Sequence, residues 1–159
     1  MSRKQTRRKH YALVNPILHG IAGAAITDTA SLDKLRMKEL QALEAFRTGT
    51  AAKHDWDAMA DLCNLTETMS GMGIGPEALE ASQRAQEALG EAHRRHVEHG
   101  RIALSGPELQ ALRDCYAFHD LQRTSVSRSQ YERAIQTTAN RIRSAHPSLK
   151  VFVTERTSA

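Results

Sequence analysis

Apolar side chains recur every three to four residues along most of this chain, which is the spacing of one face of an α-helix. This spacing predicts long helices over about 32–48, 53–70 and 76–99, and two helical segments between 105 and 146. A shorter helix over about 15–26 is predicted to precede them. The positions expected to face a common core are Leu32, Leu35, Leu40, Leu43, Phe46, Trp56, Met59, Ala60, Cys63, Ala78, Ala81, Ala85, Ala88, Leu89, Ala92, Leu109, Leu112, Cys115, Tyr116, His119, Tyr131, Ala134, Ile135, Thr138 and Ile142.

Residues that favour helix starts stand at the predicted boundaries, because their side chains or ring geometry satisfy the first turn. These residues are Ser31, Pro76, Ser105 with Pro107 and Glu108, and Ser127 with Gln130, the last pair having the spacing of a capping box. Every predicted connection is short.

The expected fold class is all-α, as an antiparallel bundle of five or six helices. Aromatic residues make up only 4% of the 159 residues, which favours helix over sheet. The predicted organisation is a basic arm over 1–14, a helical bundle over 15–146 and a short extended tail over 147–159. The tail contains the β-like stretch Val151, Phe152 and Val153.

The cysteine content and the first apolar stretch both favour a cytoplasmic protein. Cys63 and Cys115 each lie inside a helical pattern, which predicts buried, reduced thiols and no disulfide framework. The stretch after the basic arm is interrupted by Asn15, Pro16 and His19, whereas a secretory signal needs about 7–15 continuous apolar residues. Neither a secretory signal nor a membrane-spanning segment is therefore expected.

Positive charge is concentrated at the N-terminus. The arm carries five basic residues before the first acid, Asp28, and the remaining 17 basic and 18 acidic residues nearly cancel. Such an arm is suited to phosphate contact, and the alternative is a solvated tail that keeps the protein soluble. The five residues are Arg3, Lys4, Arg7, Arg8 and Lys9.

The segment from Leu104 to Ala145 has features of a helix-turn-helix. Its second helix is rich in side chains that can contact phosphates and base edges. The predicted connection is longer than the three or four residues usual in helix-turn-helix modules and lacks their glycine. A helical hairpin and a single bent helix are therefore the alternatives for this segment. The predicted nucleic-acid or partner-binding residues of this helix are Arg128, Gln130, Arg133, Asn140 and Arg141, and Gln136 and Arg143 lie on it as well.

Three other groups of residues are weaker candidates for chemistry. His93, His96 and His99 drift around their helix and lack the spacing of a zinc-binding helix, so no metal site is predicted. His119 follows Cys115 by four residues, which is typical of core packing. No cofactor is expected, because neither a nucleotide-binding fingerprint nor a nucleophile motif occurs. A phosphate loop at Gly71, Gly73 and Gly75 is disfavoured, since no strand precedes it.

From Asn15 to about Arg143 the chain resembles small uncharacterised helical proteins encoded on prophage- and plasmid-type elements of Gram-negative bacteria. The resemblance is carried by Asn15-Pro16-Ile17, Thr27-Asp28-Thr29, Leu35-Arg36 and the stretch from Ser127 to Ile135. It implies a setting in which small helical proteins commonly bind DNA or obstruct a host complex.

The function expected is therefore that of a non-enzymatic binding protein of a mobile element. Its partner would be a host or element-encoded protein, a nucleic acid, or a nucleoprotein complex such as a host defence nuclease. The alternatives are a helix-turn-helix DNA-binding regulator and a metal protein or enzyme that uses the three clustered histidines. A homodimer is left open.

Overall fold

The computed structural model of the protein describes residues 29–149, which fold into five α-helices with no strand among them. The all-helical class is therefore confirmed for this part of the chain. The helices are α1 Thr29–Thr48, α2 Lys53–Gly71, α3 Ala78–His99, α4 Gly106–Thr124 and α5 Arg128–Ser144, and a 3-10 turn follows at Pro147–Leu149. The basic arm, the helix predicted over 15–26 and the stretch Val151 to Val153 lie outside the described residues.

The predicted capping box of Ser127 and Gln130 is present, and the predicted helix start at Ser105 forms a second one with Glu108. The Ser105 hydroxyl accepts from the Glu108 backbone N–H at 3.4 Å, and the Glu108 carboxylate accepts from the Ser105 N–H at 2.7 Å. Ser127 and Gln130 make the equivalent pair at the start of α5. Because each box satisfies two N–H groups that the first turn leaves unpaired, it fixes where these helices begin.

Two helix starts differ from the prediction. Thr29, the first described residue, is already helical, so Ser31 lies inside α1 instead of capping it. Helix α3 begins at Ala78, two residues after Pro76, which belongs to a preceding turn closed by the Ala78 N–H on the Gly75 carbonyl at 2.9 Å.

Helix α2 lies at the centre and packs against α1, α3, α4 and α5. Trp56 near its start is only 5% exposed, as predicted, and its indole N–H donates to the Leu89 carbonyl of α3 at 3.1 Å. Met59 and Cys63 continue the same buried face. The predicted alanine stripe of α3 is buried too, and its small side chains let α3 pack closely against α2 and α4.

The inner face of α1 differs from the prediction at one position. Leu40 was expected in the core but is 45% exposed, whereas its neighbour Glu39 is buried. The stripe that faces inward instead runs through Leu35, Glu39 and Leu43. A carboxylate can take the inner position because Arg123 of α4 neutralises it.

The connection between α4 and α5 is shorter than predicted. Only Ser125, Val126 and Ser127 separate the two helices, because α4 continues as helix through the buried side chains of Gln122 and Arg123. Beyond this turn α5 packs on α2 rather than along α4. Within the described chain the segment is thus two helices joined by a three-residue turn, and neither a bent helix nor a side-by-side hairpin.

The α2–α3 loop is held by the carboxamide of Gln122. Its nitrogen donates to the Ile74 carbonyl at 2.8 Å and to the Ser70 hydroxyl at 3.2 Å. Gly75 in this loop has a φ of 57°, and a Cβ there would lie 3.0 Å from the Gln122 side chain. The glycines therefore serve a tight turn whose carbonyls are already bonded to α4.

Candidate nucleic-acid interface

One face of α5 fixes the helix to the rest of the fold. Tyr131, Ala134 and Ile135 are buried against Leu65 and Met69 of α2. Leu32 and Leu35 of α1 pack onto the same cluster. Helix α5 is thus held along its inner side by α2 and the first turns of α1, and its opposite side faces solvent.

The first turn of α5 is also held by a polar contact inside the protein. The Tyr131 hydroxyl lies 3.4 Å from Nε2 of His119 on α4, and both side chains are buried. Burial lowers the pKa of His119 to about 3, so the ring is neutral. Burial also raises the pKa of Tyr131 above its usual value, which keeps the phenol neutral.

A chain of alternating charges fixes α4 against α1 beside this contact. Arg123, whose side chain is fully buried, donates two hydrogen bonds to Glu39 at 3.0 and 2.6 Å and one to Asp120 at 2.8 Å. Asp120 in turn accepts two hydrogen bonds from Arg36 at 2.9 and 3.2 Å. These bidentate contacts fix both distance and orientation between the two helices.

The charged side chains of this buried charge chain are stabilised to different degrees. Burial alone would lower the pKa of Arg123, but Glu39 and Asp120 outweigh it and raise that pKa. Burial raises the pKa of Glu39 even though Arg123 opposes it. For Asp120, burial is outweighed by hydrogen bonds from Arg36 and Arg123, which hold its pKa below the usual value. Arg123 is therefore the cation on which the buried carboxylate depends.

The solvent side of α5 carries a continuous polar stripe without an acidic residue. Positions 129, 133, 136, 140 and 143 advance by three or four residues, so they line one side of the helix. Ser129, Arg133, Gln136 and Asn140 are exposed, and Arg143 is partly exposed. We call these five residues the α5 stripe.

Three of the binding residues predicted on α5 are engaged in contacts within the protein. Arg128 forms an ion pair with Glu132 at 2.8 Å, and Gln130 belongs to the capping box of its own helix. Arg141 donates to the Thr68 hydroxyl at 2.7 Å and pairs with a Glu67 carboxylate oxygen at 3.0 Å, both on α2.

The other two predicted residues, Arg133 and Asn140, lie in the α5 stripe. Both are exposed, and their side chains make no hydrogen bond or ion pair with any residue in 29–149. Gln136 lies between them with the same properties. The structure thus groups these three side chains and separates them from Arg128, Gln130 and Arg141.

Helix α5 has the largest net positive charge of the described helices. It holds four arginines and one acid, Glu132, which gives +3, whereas the other residues in 29–149 include eleven basic and fifteen acidic side chains, which gives −4. Net charge therefore differs in sign between this helix and the rest of the described chain taken together. An anionic ligand would be attracted more strongly to α5 than to the rest as a whole.

The basic arm lies outside the described residues. Within them, the first turns of α1 pack on the same cluster as the inner face of α5.

The other sequence candidates do not form a reactive centre in the described part of the chain. His93 lies 6.4 Å from the Trp56 ring, His96 is partly buried, and His99 is exposed beside Glu98. No group of three or more potential ligands that could hold a metal ion occurs within residues 29–149.

The two cysteines pack together with Thr66 in the core, and both are free thiols. The Cys115 thiol lies 3.7 Å from the Thr66 hydroxyl, while His119 on the next turn contacts Tyr131 instead. The contact with Cys115, together with burial, raises the pKa of Cys63, which disfavours the reactive thiolate there.

The buried charge chain was not anticipated from the sequence. The only signal for it is that Tyr116, Asp120 and Arg123 fall on one side of α4, next to the predicted apolar face. That spacing is equally typical of an exposed helix edge, so the partner Glu39 could not be identified.

Comparison with known proteins adds no further assignment: no family model, curated protein or solved structure matches this chain. Within residues 29–149, no helix combines the length and apolar character that a membrane crossing requires.

Proposed function

We propose that this chain is a non-enzymatic binding protein whose ligand is nucleic acid, held by the outer face of α5 together with the basic N-terminal arm. The observation that carries the proposal is the difference in net charge, with +3 on α5 and −4 on the other described residues taken together. Phosphate contacts supply most of the affinity of such proteins, because arginine and lysine release condensed counterions when they bind.

The α5 stripe suits a regular polyanion. Arg133 and Arg143 are ten residues apart, so they lie about 15 Å apart along the helix axis, from a rise of about 1.5 Å per residue. Between them lie only neutral polar side chains, Gln136 and Asn140. A polyphosphate backbone can therefore meet positive charge at two positions of the stripe without meeting an acid between them.

The five basic residues of the arm would contact the same nucleic acid. Arm and stripe both present basic side chains, so both can contact the phosphates of one nucleic acid. The resemblance to mobile-element proteins would place such binding in a context where small helical proteins bind DNA or obstruct a host complex.

A helix-turn-helix regulator is the second candidate, and the three-residue connection between α4 and α5 favours it. In such modules the second helix contacts bases while its partner helix orients it. In this chain α5 would be the second helix.

The test is the salt dependence of binding to a fluorescently labelled, random-sequence DNA duplex, measured by anisotropy. Each phosphate contact contributes about −0.9 to the slope of log affinity against log salt, so the five arm residues should contribute about −4.5. Replacing all five with glutamine should remove that share. Arg133→Ala should reduce the slope by about a further 0.9.

Arg84→Ala is the matched control, because Arg84 is exposed on α3, which does not pack on α5. It should leave the slope unchanged. Absence of duplex binding at about 50 mM salt, or slopes that are unaffected by both sets of changes, would contradict the proposal. In that case a pull-down from host lysate, with and without nuclease, would identify a protein partner instead.

A further inference from the structure

We infer that α5 reads adenine-containing base pairs in the major groove of duplex DNA through Gln136 and Asn140. This inference rests on the proposed function, and it adds the type of nucleic acid and the residues that contact bases. Four observations carry it: the chemistry of the two amides, their lack of internal partners, their spacing and the absence of exposed aromatic residues on α5.

The chemistry required by adenine is a paired donor and acceptor. In the major groove adenine presents the N7 acceptor next to the N6 amino donor, and a carboxamide matches both at once. Arginine has donors only, so it cannot make this pair. Gln136 and Asn140 are the two carboxamides in the α5 stripe.

These two amides are available, whereas several others in the fold are engaged. The amides of Gln86 and Gln122 bond to residues of α2 or the following loop, and Gln130 caps α5. By contrast, Gln136 and Asn140 are exposed and make no side-chain hydrogen bond within the described chain. A ligand therefore need not break an internal contact to reach them.

The spacing of the amides fits base pairs that are two steps apart. They are four residues apart, which gives about 6 Å along the helix axis. Base pairs are stacked about 3.4 Å apart, so the two amides would reach positions about two base pairs apart. The major groove, about 12 Å wide, admits an α-helix, and the side of α5 that carries the amides is opposite its packed face.

Single-stranded nucleic acid and double-stranded RNA fit this surface less well. Proteins that bind single strands stack the bases on exposed aromatic side chains, but Tyr131, the only aromatic residue of α5, is buried. The major groove of an RNA duplex is too narrow and deep for side chains to read. Duplex DNA is therefore the ligand whose geometry matches the stripe.

The experiment begins with selection of preferred sites from a randomised DNA duplex library, using the full-length protein. Affinity is then measured for a selected duplex and for a scrambled duplex of the same composition. The selected site should contain adenines about two base pairs apart. Gln136→Ala and Asn140→Ala should each reduce the preference for the selected duplex by about 5- to 150-fold, the range for one bidentate base contact.

Affinity for the scrambled duplex should stay the same in both variants, because neither removes a charge. Gln41→Ala is the control, since Gln41 is an exposed amide on α1. Melting temperatures within about 2 °C of the parent protein would show that the fold is intact.

The outcomes separate this inference from the proposed function. Salt-dependent duplex binding without any preferred sequence would overturn the inference and leave the proposed function standing. A preference that persists in both variants would also overturn it, because bases would then be read elsewhere. Failure to bind any duplex would overturn both.

Discussion

Replacing Arg123 with methionine tests whether the junction of α1 and α4 depends on a buried charge pair. Methionine fills similar volume but cannot neutralise Glu39, whose side chain is only 11% exposed. Arg123 also lies over the Tyr116 ring, at 5.9 Å from its centroid, and methionine can keep much of that contact. The perturbation is thus mainly the loss of a charge.

The expected cost follows from leaving one ion buried without its partner. Breaking a buried pair destabilises a protein by about 3–5 kcal/mol, whereas replacing both partners with apolar residues is often neutral or stabilising. Since a domain is stable by only about 5–15 kcal/mol, the single variant should lose a large share of its stability. The double variant Glu39→Leu with Arg123→Met should regain most of it.

The loss should also depend on pH. Burial already raises the pKa of Glu39, and without Arg123 that pKa should rise further. A carboxyl with a raised pKa in the folded state stabilises the fold at low pH, and this stabilisation is lost as pH rises towards that pKa. Arg123→Met should therefore be less destabilised, relative to the parent protein, at pH 5 than at pH 8.

The assay is urea denaturation of the parent, the two single variants and the double variant at both pH values. Arg47→Met is the matched control, because Arg47 pairs with Glu44 on the solvent side of α1. It should leave the unfolding curve nearly unchanged. A small loss for Arg123→Met, or a double variant as unstable as the sum of the singles, would refute the dependence on charge pairing.

Two further predictions concern the core. Trp56→Ala should lower the free energy of unfolding by about 3–5 kcal/mol, because it leaves a cavity and removes the indole hydrogen bond to the Leu89 carbonyl; an unchanged melting curve would contradict its burial. His119 has a folded pKa of about 3 against about 6.5 unfolded, so stability should fall as pH drops below 6.5, by roughly 2 kcal/mol at pH 5. In His119→Gln the loss of stability at low pH that is due to His119 should be absent. Parallel curves of unfolding free energy against pH for the variant and the parent protein would contradict the role given to His119.

The sequence was sufficient for the features that depend on local chemistry. Helices α4 and α5 begin at the predicted residues Ser105 and Ser127, because in each case the hydroxyl and the residue three positions later satisfy each other's backbone N–H groups. The burial of Trp56 and of the α3 alanines was predicted from helical spacing alone. These features need no knowledge of which helices are neighbours.

The features that depend on tertiary partners could not be predicted in the same way. Helical periodicity assigned Leu40 to the core, because leucine is the apolar residue at that point of α1. In the structure the neighbouring Glu39 is buried instead, because its carboxylate pairs with Arg123, which lies 84 positions further along the chain. Likewise, Arg141 was expected at a binding surface, and only the position of Glu67 on α2 explains its internal pairing. For the arm, which lies outside the described residues, phosphate contact stays a prediction.

The buried charge chain and the α5 stripe are connected through the start of α5. Arg123 lies next to Tyr131, whose hydroxyl contacts His119, so the charge chain orients the first turn of α5 as well as the α1–α4 junction. The inner face of α5 then sets the direction of its outer face, because a helix is rigid over this length. A ligand-binding helix gains from such orientation, since fewer side-chain and backbone motions must be lost on binding. The Arg123→Met variant should thus weaken duplex binding even at temperatures where it stays folded, while Arg47→Met should not.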